Sequence, residues 1–386
     1  MARFRLSALP WLRKSPVITQ SRCFSTPSEC LRVAIVGVGR MGQIRLRGLQ
    51  QHPRIQIASI IDASLTGANA ARYEAQYNAP CFLSLADAAA LKDVHGVWIA
   101  TPTPTHLPVI QDALTNSKTL KAIGIEKPVA GTLEEIDQAY NHCFQQNVHL
   151  VCSFQRRFDP SYEALRRQCV DEGRLGRLQS IHTVFRDHPC PSVEYLKTGG
   201  DPFHDLAVHD IDYVCTVVGE YPTRVYAYGT SLSDELKAVN VMDKASVWLE
   251  FPRTGVICTM DMSRRADYGY DQRVEVSGEL GMLQVLNPPR TQIVHSGGHG
   301  VQGDTLVHSF PERFQDAYER ELDHFVDVLD GKTMPRVHWN AARMATIIAE
   351  AARVAATQRK VITIKYVETC QDQPRQDPYL HVEYEY

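Results

Sequence analysis

The run LRVAIV (31–36) is apolar almost throughout, as expected for a strand buried on both faces of a parallel sheet. A helical stripe through Leu46 and Leu49 follows at once, and then a second apolar run, IQIASIID (55–62). A minor strand near 81–83, VHGVWIA (94–100), KAIGIE (121–126) and HLVCSF (149–154) continue the alternation of strand and helix. This predicts a doubly wound parallel sheet of the Rossmann type over residues 29–154.

The pattern then changes. After FDPSYEALRR (158–167) come LQSIHTVFRD, TRVYAYGT, ASVWLEF, GVICTMDMS, QRVEVSG and GMLQVL, several alternating in polarity and separated by Gly, Pro or Asp turns. They predict a second, α+β domain over 155–366 with a large, mainly antiparallel open sheet, one face of which needs covering. The segment DPFHDLAVHDIDYV (201–214) is the natural cover. Helical patterns around 311–330 and 339–357 should return to this domain or to the first. Residues 367–386 are polar and contain proline, which reads as a tail or surface arm.

Composition adds limits. The 386 residues, 44% hydrophobic and 22% charged, suffice for two cores. A formal charge of -3 gives no nucleic-acid signature, and no apolar run approaches the roughly 18 residues of a membrane span. Ten cysteines without C-x-x-C or regular spacing indicate neither a zinc ribbon nor a disulfide framework; Cys152, Cys215 and Cys258 read as core thiols. Residues 1–28 hold five basic residues and no acid, the composition of a mitochondrial transit peptide, with Arg22-Cys23-Phe24-Ser25 resembling a cleavage site after Phe24. The expected location is the mitochondrial matrix, with a disordered leader on a cytoplasmic protein as the alternative.

GVGRMG (37–42) is a G-x-G-x-x-G loop between strand and helix. Gly37 permits the turn, Gly39 admits a pyrophosphate to the backbone and Gly42 lets helix and strand pack closely. Asp62, ending the next strand about 20 residues on, suits a ribose diol and disfavours a 2'-phosphate, so NAD is favoured over NADP; Arg40 is the one reservation. TPTPTH (101–106) and EKP (126–128) sit at later strand ends, the ligand side of such sheets. Lys127 should project there; its alternative is a surface lysine.

On a helix of about 100° per residue, Phe203, Leu206, Ala207, Ile211 and Val214 make a core stripe. Asp201, Asp205, His209 and Asp212 fall opposite, and Asp205 and His209 are an i, i+4 pair in which the carboxylate can orient the imidazole. A solvated polar face and a metal site on His204, Asp205 and His209 are the alternatives; no H-E-x-x-H or cysteine partner supports the metal, and none is expected. Asp210 falls on the buried side and must find a partner there.

In their order, GVGRMG, TPTPTH, EKP and DLAVHD (205–210) resemble the glucose-fructose oxidoreductase and inositol dehydrogenase family from about Leu31 to Tyr366. RRFDP (156–160) and RRADYGYDQRVEVSGELGM (264–282) look closest to its inositol 2-dehydrogenases. The resemblance implies a homo-oligomer, dimer or tetramer, joined through the open sheet. It implies that Lys127, Asp205 and His209 carry the catalysis. It also implies cofactor contacts from Gly37, Gly39, Arg40, Met41, Gly42, Asp62, Thr101, Pro102, Thr103, His106, Glu126 and Lys127. Arg157, Arg186, His188, Tyr268 and Tyr270 would join the three catalytic groups around a small polyol. The expected reaction is NAD-dependent oxidation of a secondary hydroxyl, myo-inositol to the 2-keto inositol, with His209 as base, Asp205 orienting it and Lys127 steadying the alkoxide. Lys127 as the base is the competing assignment. Another sugar or a dihydrodiol is the alternative substrate, and a non-catalytic NAD-binding sensor or assembly protein the alternative of another class.

Overall fold

The computed structural model describes residues 30–87, 91–198, 200–367 and 381–385. The leader expected over 1–28 lies outside them. Six strands, β1 (Leu31–Val36), β2 (Ile55–Ile61), β3 (Cys81–Phe82), β4 (Gly96–Ile99), β5 (Ala122–Ile125) and β6 (His149–Cys152), form one parallel sheet in the order β3-β2-β1-β4-β5-β6. That order reverses direction between β1 and β4, which opens a crevice at the carboxyl ends of the strands. Helices α1 (Arg40–Gln51), α2 (Gly67–Tyr77), α3 (His106–Asn116) and α4 (Leu133–Gln145) connect them. A Thr132–Glu135 capping box starts α4.

The second sheet uses β7 (Leu178–Arg186), β8 (Arg224–Thr230), β9 (Lys244–Glu250), β10 (Ile257–Ser263), β11 (Asp271–Gly278) and β12 (Gly281–Val285). After a separate hairpin, β13 (Val294–Gly297) with β14 (Gly300–Gly303), it is completed by β15 (Ile362–Val367) and β16 (His381–Glu385). Its order is β12-β11-β7-β10-β9-β8-β15-β16, antiparallel except for the parallel pair β7/β10. The expected tail therefore includes a sheet strand: residues 381–385 pair antiparallel with β15. Alternation along β9 buries Ala245, Val247 and Leu249 on one face and leaves Trp248 exposed on the other, beside Tyr226 and Tyr228 of β8. The helical segments at 203–218 and Trp339–Gln358 pack on the inner face. Among the described residues no helix is long and apolar enough to cross a membrane.

The helix Gln315–Leu329 returns from late in the chain to the first domain. Its Leu322, Phe325, Val326 and Leu329 join the core made by β1, β2 and Trp98. Phe325 meets Trp98 edge-on at 5.1 Å, and Gly96 leaves the ring its room, since a Cβ there would lie 3.0 Å from it. Phe325→Ala is therefore expected to destabilise the protein by about 3–5 kcal/mol. Urea unfolding measures this, and a change under about 1 kcal/mol would mean the helix is not part of that core.

Candidate active site

The glycine loop is shaped by its own packing at two positions and left open at the third. A Cβ on Gly37, which has φ +98°, would fall 2.6 Å from the Ala100 carbonyl oxygen, and one on Gly42 would fall 2.0 Å from that of Gly37. At Gly39 a Cβ would meet nothing within 4 Å among the described residues, so that backbone is approachable from the crevice. Among the described residues no side chain caps the first turn of α1. Its first N–H groups suit an anion. Asp62 accepts from the backbone N–H of Val38 and of Ser64, both at 2.8 Å. Partial burial would raise its carboxyl, but these two donors outweigh it and hold the group below the usual carboxylate range. An anion is thus fixed where a ribose would meet the loop.

Several residues expected at the cofactor turn toward their own chain. Arg40 is drawn to the second domain, donating to Ser309 Oγ at 3.1 Å and lying 4.3 Å over the Phe310 ring. His106 is buried, its ring nitrogens 2.9 Å from the Pro128 carbonyl and 2.8 Å from that of Thr101; burial pushes its imidazole down. It clamps the TPTPTH turn to the Lys127-Pro128 segment and does not face the crevice. Glu126 accepts from Arg45 at 2.6 Å and Trp98 Nε1 at 3.2 Å. Met41, Pro102 and Thr103 retain some exposure beside the loop and the turn.

Lys127 does reach the crevice. Its Nζ donates to Asp205 Oδ1 and to the Asp205 carbonyl oxygen, both at 2.9 Å, which joins the end of β5 to the second domain. Asp205 Oδ2 is taken by Arg264. Burial would raise this carboxyl, but the Lys127 and Arg264 charges and their hydrogen bonds hold it at about 2. It is a carboxylate at every working pH.

The expected Asp205–His209 hydrogen bond is not made. The turn Phe203–Ala207 is π-helical and only Val208–Val218 is α-helical, so the uniform 100° step misplaces Asp205 relative to His209. The apolar stripe survives: Phe203, Leu206, Ala207, Ile211 and Val214 are all buried. Asp201 caps the π turn through the N–H groups of Phe203 and His204. His209 sits edge-on to Phe154 at 5.9 Å, and its buried Nδ1 has no partner among the described residues. Burial, then the charges of Lys127 and Arg156, push its imidazole well below the ordinary value. His209 is neutral without help from Asp205.

Asp210, predicted to need a buried partner, has Arg156, with Gln272 at 3.3 Å. Asp212 is buried rather than solvated, and it holds Arg157 bidentately at 2.8 and 2.6 Å. Arg157 also donates to the Arg336 carbonyl at 3.1 Å, so it is a structural ion pair rather than a pocket donor. Arg186 and Tyr268 also lie elsewhere. Arg186 shares the outer face of β7 with exposed Ser180 and His182, bonds Asp261 at 2.9 Å and donates to the Tyr268 hydroxyl at 2.8 Å. Tyr270 is packed between Phe185 and Phe314. His188 lies edge-on to His308 at 5.0 Å.

The residue after Arg186 faces inward instead. Asp187 is buried, and its carboxyl is pushed up to about 6 by burial and by the Asp205 charge, against the pull of Arg264. Tyr195 lies close enough for the Asp205 charge, then burial, to raise its phenol. Arg264, Asp187 and Tyr195 do not stand out in the sequence. For Asp187 a signal exists, because period-2 alternation puts it opposite Arg186.

A family model described as an oxidoreductase family with an NAD-binding Rossmann fold matches residues 31–154, and a GFO/IDH/MocA C-terminal domain model matches 164–284. The chain belongs to the GFO/IDH/MocA oxidoreductases. A relative called inositol 2-dehydrogenase, from Rhizobium meliloti, is 30% identical over 336 residues, 86% of this chain and 99% of its own. One called myo-inositol 2-dehydrogenase, from Thermotoga maritima, is 28% identical and covers 87% and 99%. The crystal structure of a myo-inositol dehydrogenase from Corynebacterium glutamicum superposes with a TM-score of 0.78 at 27% identity, over 87% and 99% of the chains. As a GFO/IDH/MocA protein the chain carries an NAD-binding domain, and the open Gly39 backbone and fixed Asp62 fit that cofactor.

Asp62→Ala should weaken NADH binding by the worth of charge-assisted hydrogen bonds, about 1.5–3 kcal/mol, roughly ten- to a hundredfold. NADPH should not be weakened in parallel. Fluorescence titration decides, and unchanged NADH affinity would remove Asp62 from the site.

Proposed function

We propose that the chain oxidises a secondary hydroxyl of a cyclic polyol, taking myo-inositol to the 2-keto inositol. The observation that carries this is the meeting of an ion-paired Lys127 and a neutral, buried His209 at the carboxyl end of β5. The relatives called inositol 2-dehydrogenase support the substrate class.

NAD, when bound, supplies the hydride acceptor. The rest falls to side chains. As hydride leaves the carbinol carbon its hydroxyl must lose a proton, and a group with a free lone pair must stand within hydrogen-bond reach. His209 is that group, since burial and two cations keep its imidazole unprotonated. Lys127, held as a donor by Asp205, stabilises the oxygen as it gains alkoxide character. Asp205 therefore anchors Lys127 rather than orienting His209. The neutral polyol calls for many donors and acceptors, and buried Asp187 and half-exposed Tyr195 add to them.

The uncovered face of the large sheet supports self-association with a second copy. Trp248 pairs in register with Tyr226, and Tyr228 is the next side chain on that face of β8, each at least 44% exposed. Trp248→Glu is expected to lower the mass found by sedimentation, and a monomeric wild-type protein would exclude the association.

The direct test is NADH formation with a panel of cyclitols, aldoses and diols. Activity confined to non-cyclitols would transfer the reading to another sugar or a dihydrodiol. His209→Ala should lose turnover on the order of 10²- to 10⁴-fold with NADH binding intact. Because the imidazole resists protonation, activity of the wild-type enzyme should persist as pH falls through about 6.5, the ordinary histidine value, its acidic limb lying lower. A limb at or above that value, or near-normal turnover of the variant, would remove His209 as the base.

A further inference from the structure

Arg264 follows β10 directly, and its backbone N–H donates to the Asp243 carbonyl at 2.8 Å. Its guanidinium is 1% exposed. One arm takes Asp205 Oδ2, the other donates to the Gly200 carbonyl at 3.0 Å, and Nε is buried with no acceptor among the described residues. Desolvating a guanidinium and leaving one N–H unpaired is costly, and well-packed apolar residues in place of buried ions are often neutral or stabilising. Stability is therefore a poor reason for this arginine.

We propose that Arg264 is a positioning residue for the reaction, fixing Asp205 so that its Oδ1 and carbonyl oxygen converge on Lys127 Nζ. A lysine on a four-carbon stem is mobile, and one carboxylate free to rotate would not place its ammonium. With Oδ2 committed to Arg264, the carboxylate plane is set, and Lys127 Nζ is held at two points 2.9 Å away. Charge follows geometry. Lys127 and Arg264 meet on opposite oxygens of the Asp205 carboxylate, so the ammonium keeps one place for an oxygen gaining alkoxide character. The Gly200 carbonyl ties the segment leading into the π turn to the same point, so Asp205 is located from both sides.

The kinetic consequence rests on the dehydrogenase reading above; the structural one does not. The experiment uses the full chain with Arg264→Met, which keeps a buried stem, and Arg264→Lys, which keeps a charge. With myo-inositol, Arg264→Met should lower kcat on the order of 10²-fold, the effect of a misplacement of about 1 Å, with KM and NADH affinity little changed. Arg264→Lys should recover part of that loss. Added to Asp205→Asn, Arg264→Met should cost nothing further, since it acts through that carboxylate. The crystal structure of Arg264→Met should show Lys127 Nζ moved beyond hydrogen-bond reach of Asp205 Oδ1. An unmoved Lys127 ammonium, or reductions in kcat that multiply in the double variant, would overturn the proposal. So would a fall in Tm and NADH affinity shared equally by both single variants. A wild-type enzyme inert on every polyol would instead remove the dehydrogenase reading, and the crystal structure would still decide the role of Arg264.

Discussion

One buried guanidinium fixes the relation between the nucleotide loop, the lysine and the end of the chain. Arg45, on α1, donates to Glu126 at 2.6 Å and to Ser153 Oγ at 2.6 Å, and pairs with Glu321 at 2.7 Å. The four residues come from α1, the ends of β5 and β6, and the returning helix. Burial pushes the Glu321 carboxyl up to about 7, against the pull of Arg45 and helped by the charge of Glu126. A cation held among two carboxylates out of water tolerates little displacement, because moving any member leaves another uncompensated. Glu126 immediately precedes Lys127, so the lysine inherits this constraint from its neighbour.

From there the site is built by charges that meet across the domain boundary. Lys127 comes from the parallel sheet, Asp205 from the π turn and Arg264 from the end of β10. Asp205 is met from both sides, by Lys127 of the first domain and by Arg264 of its own. His209 differs in kind: its neutrality comes from apolar enclosure and from repulsion by two cations, and its buried Nδ1 has no hydrogen-bonded partner among the described residues.

The architecture was legible because it rests on periodicity. Apolar runs marked β1, β2, β4, β5 and β6, alternation marked the strands from β7 to β12, and the glycine loop and Asp62 marked the nucleotide side. Residues that work by pairing at long range were not legible. Arg45 reads as a polar position on an amphipathic helix, and nothing local connects it to Glu321. Arg264 and Arg265 are indistinguishable as letters, yet one is buried on Asp205 and the other is exposed beside Asp267. A uniform helical step through 201–214 succeeds for the core stripe, which tolerates angular error, and fails for a hydrogen bond, which does not. Arg186 and Asp187 differ by one residue in a period of two, which is enough to place their side chains on opposite faces of the sheet.

The helix Gln315–Leu329 has a consequence for how the protein is made. Its apolar side fills the core under Trp98 and β4, yet it is synthesised after both sheets' central strands. The nucleotide-binding half that leaves the ribosome first therefore has an open seam, with Trp98 and the Gly96 surface unfilled, and Arg45 lacks one of its two counter-ions. Vectorial synthesis does not complete this domain in order of appearance. It is closed by a segment from within the domain that follows it, so the two halves reach their final state together.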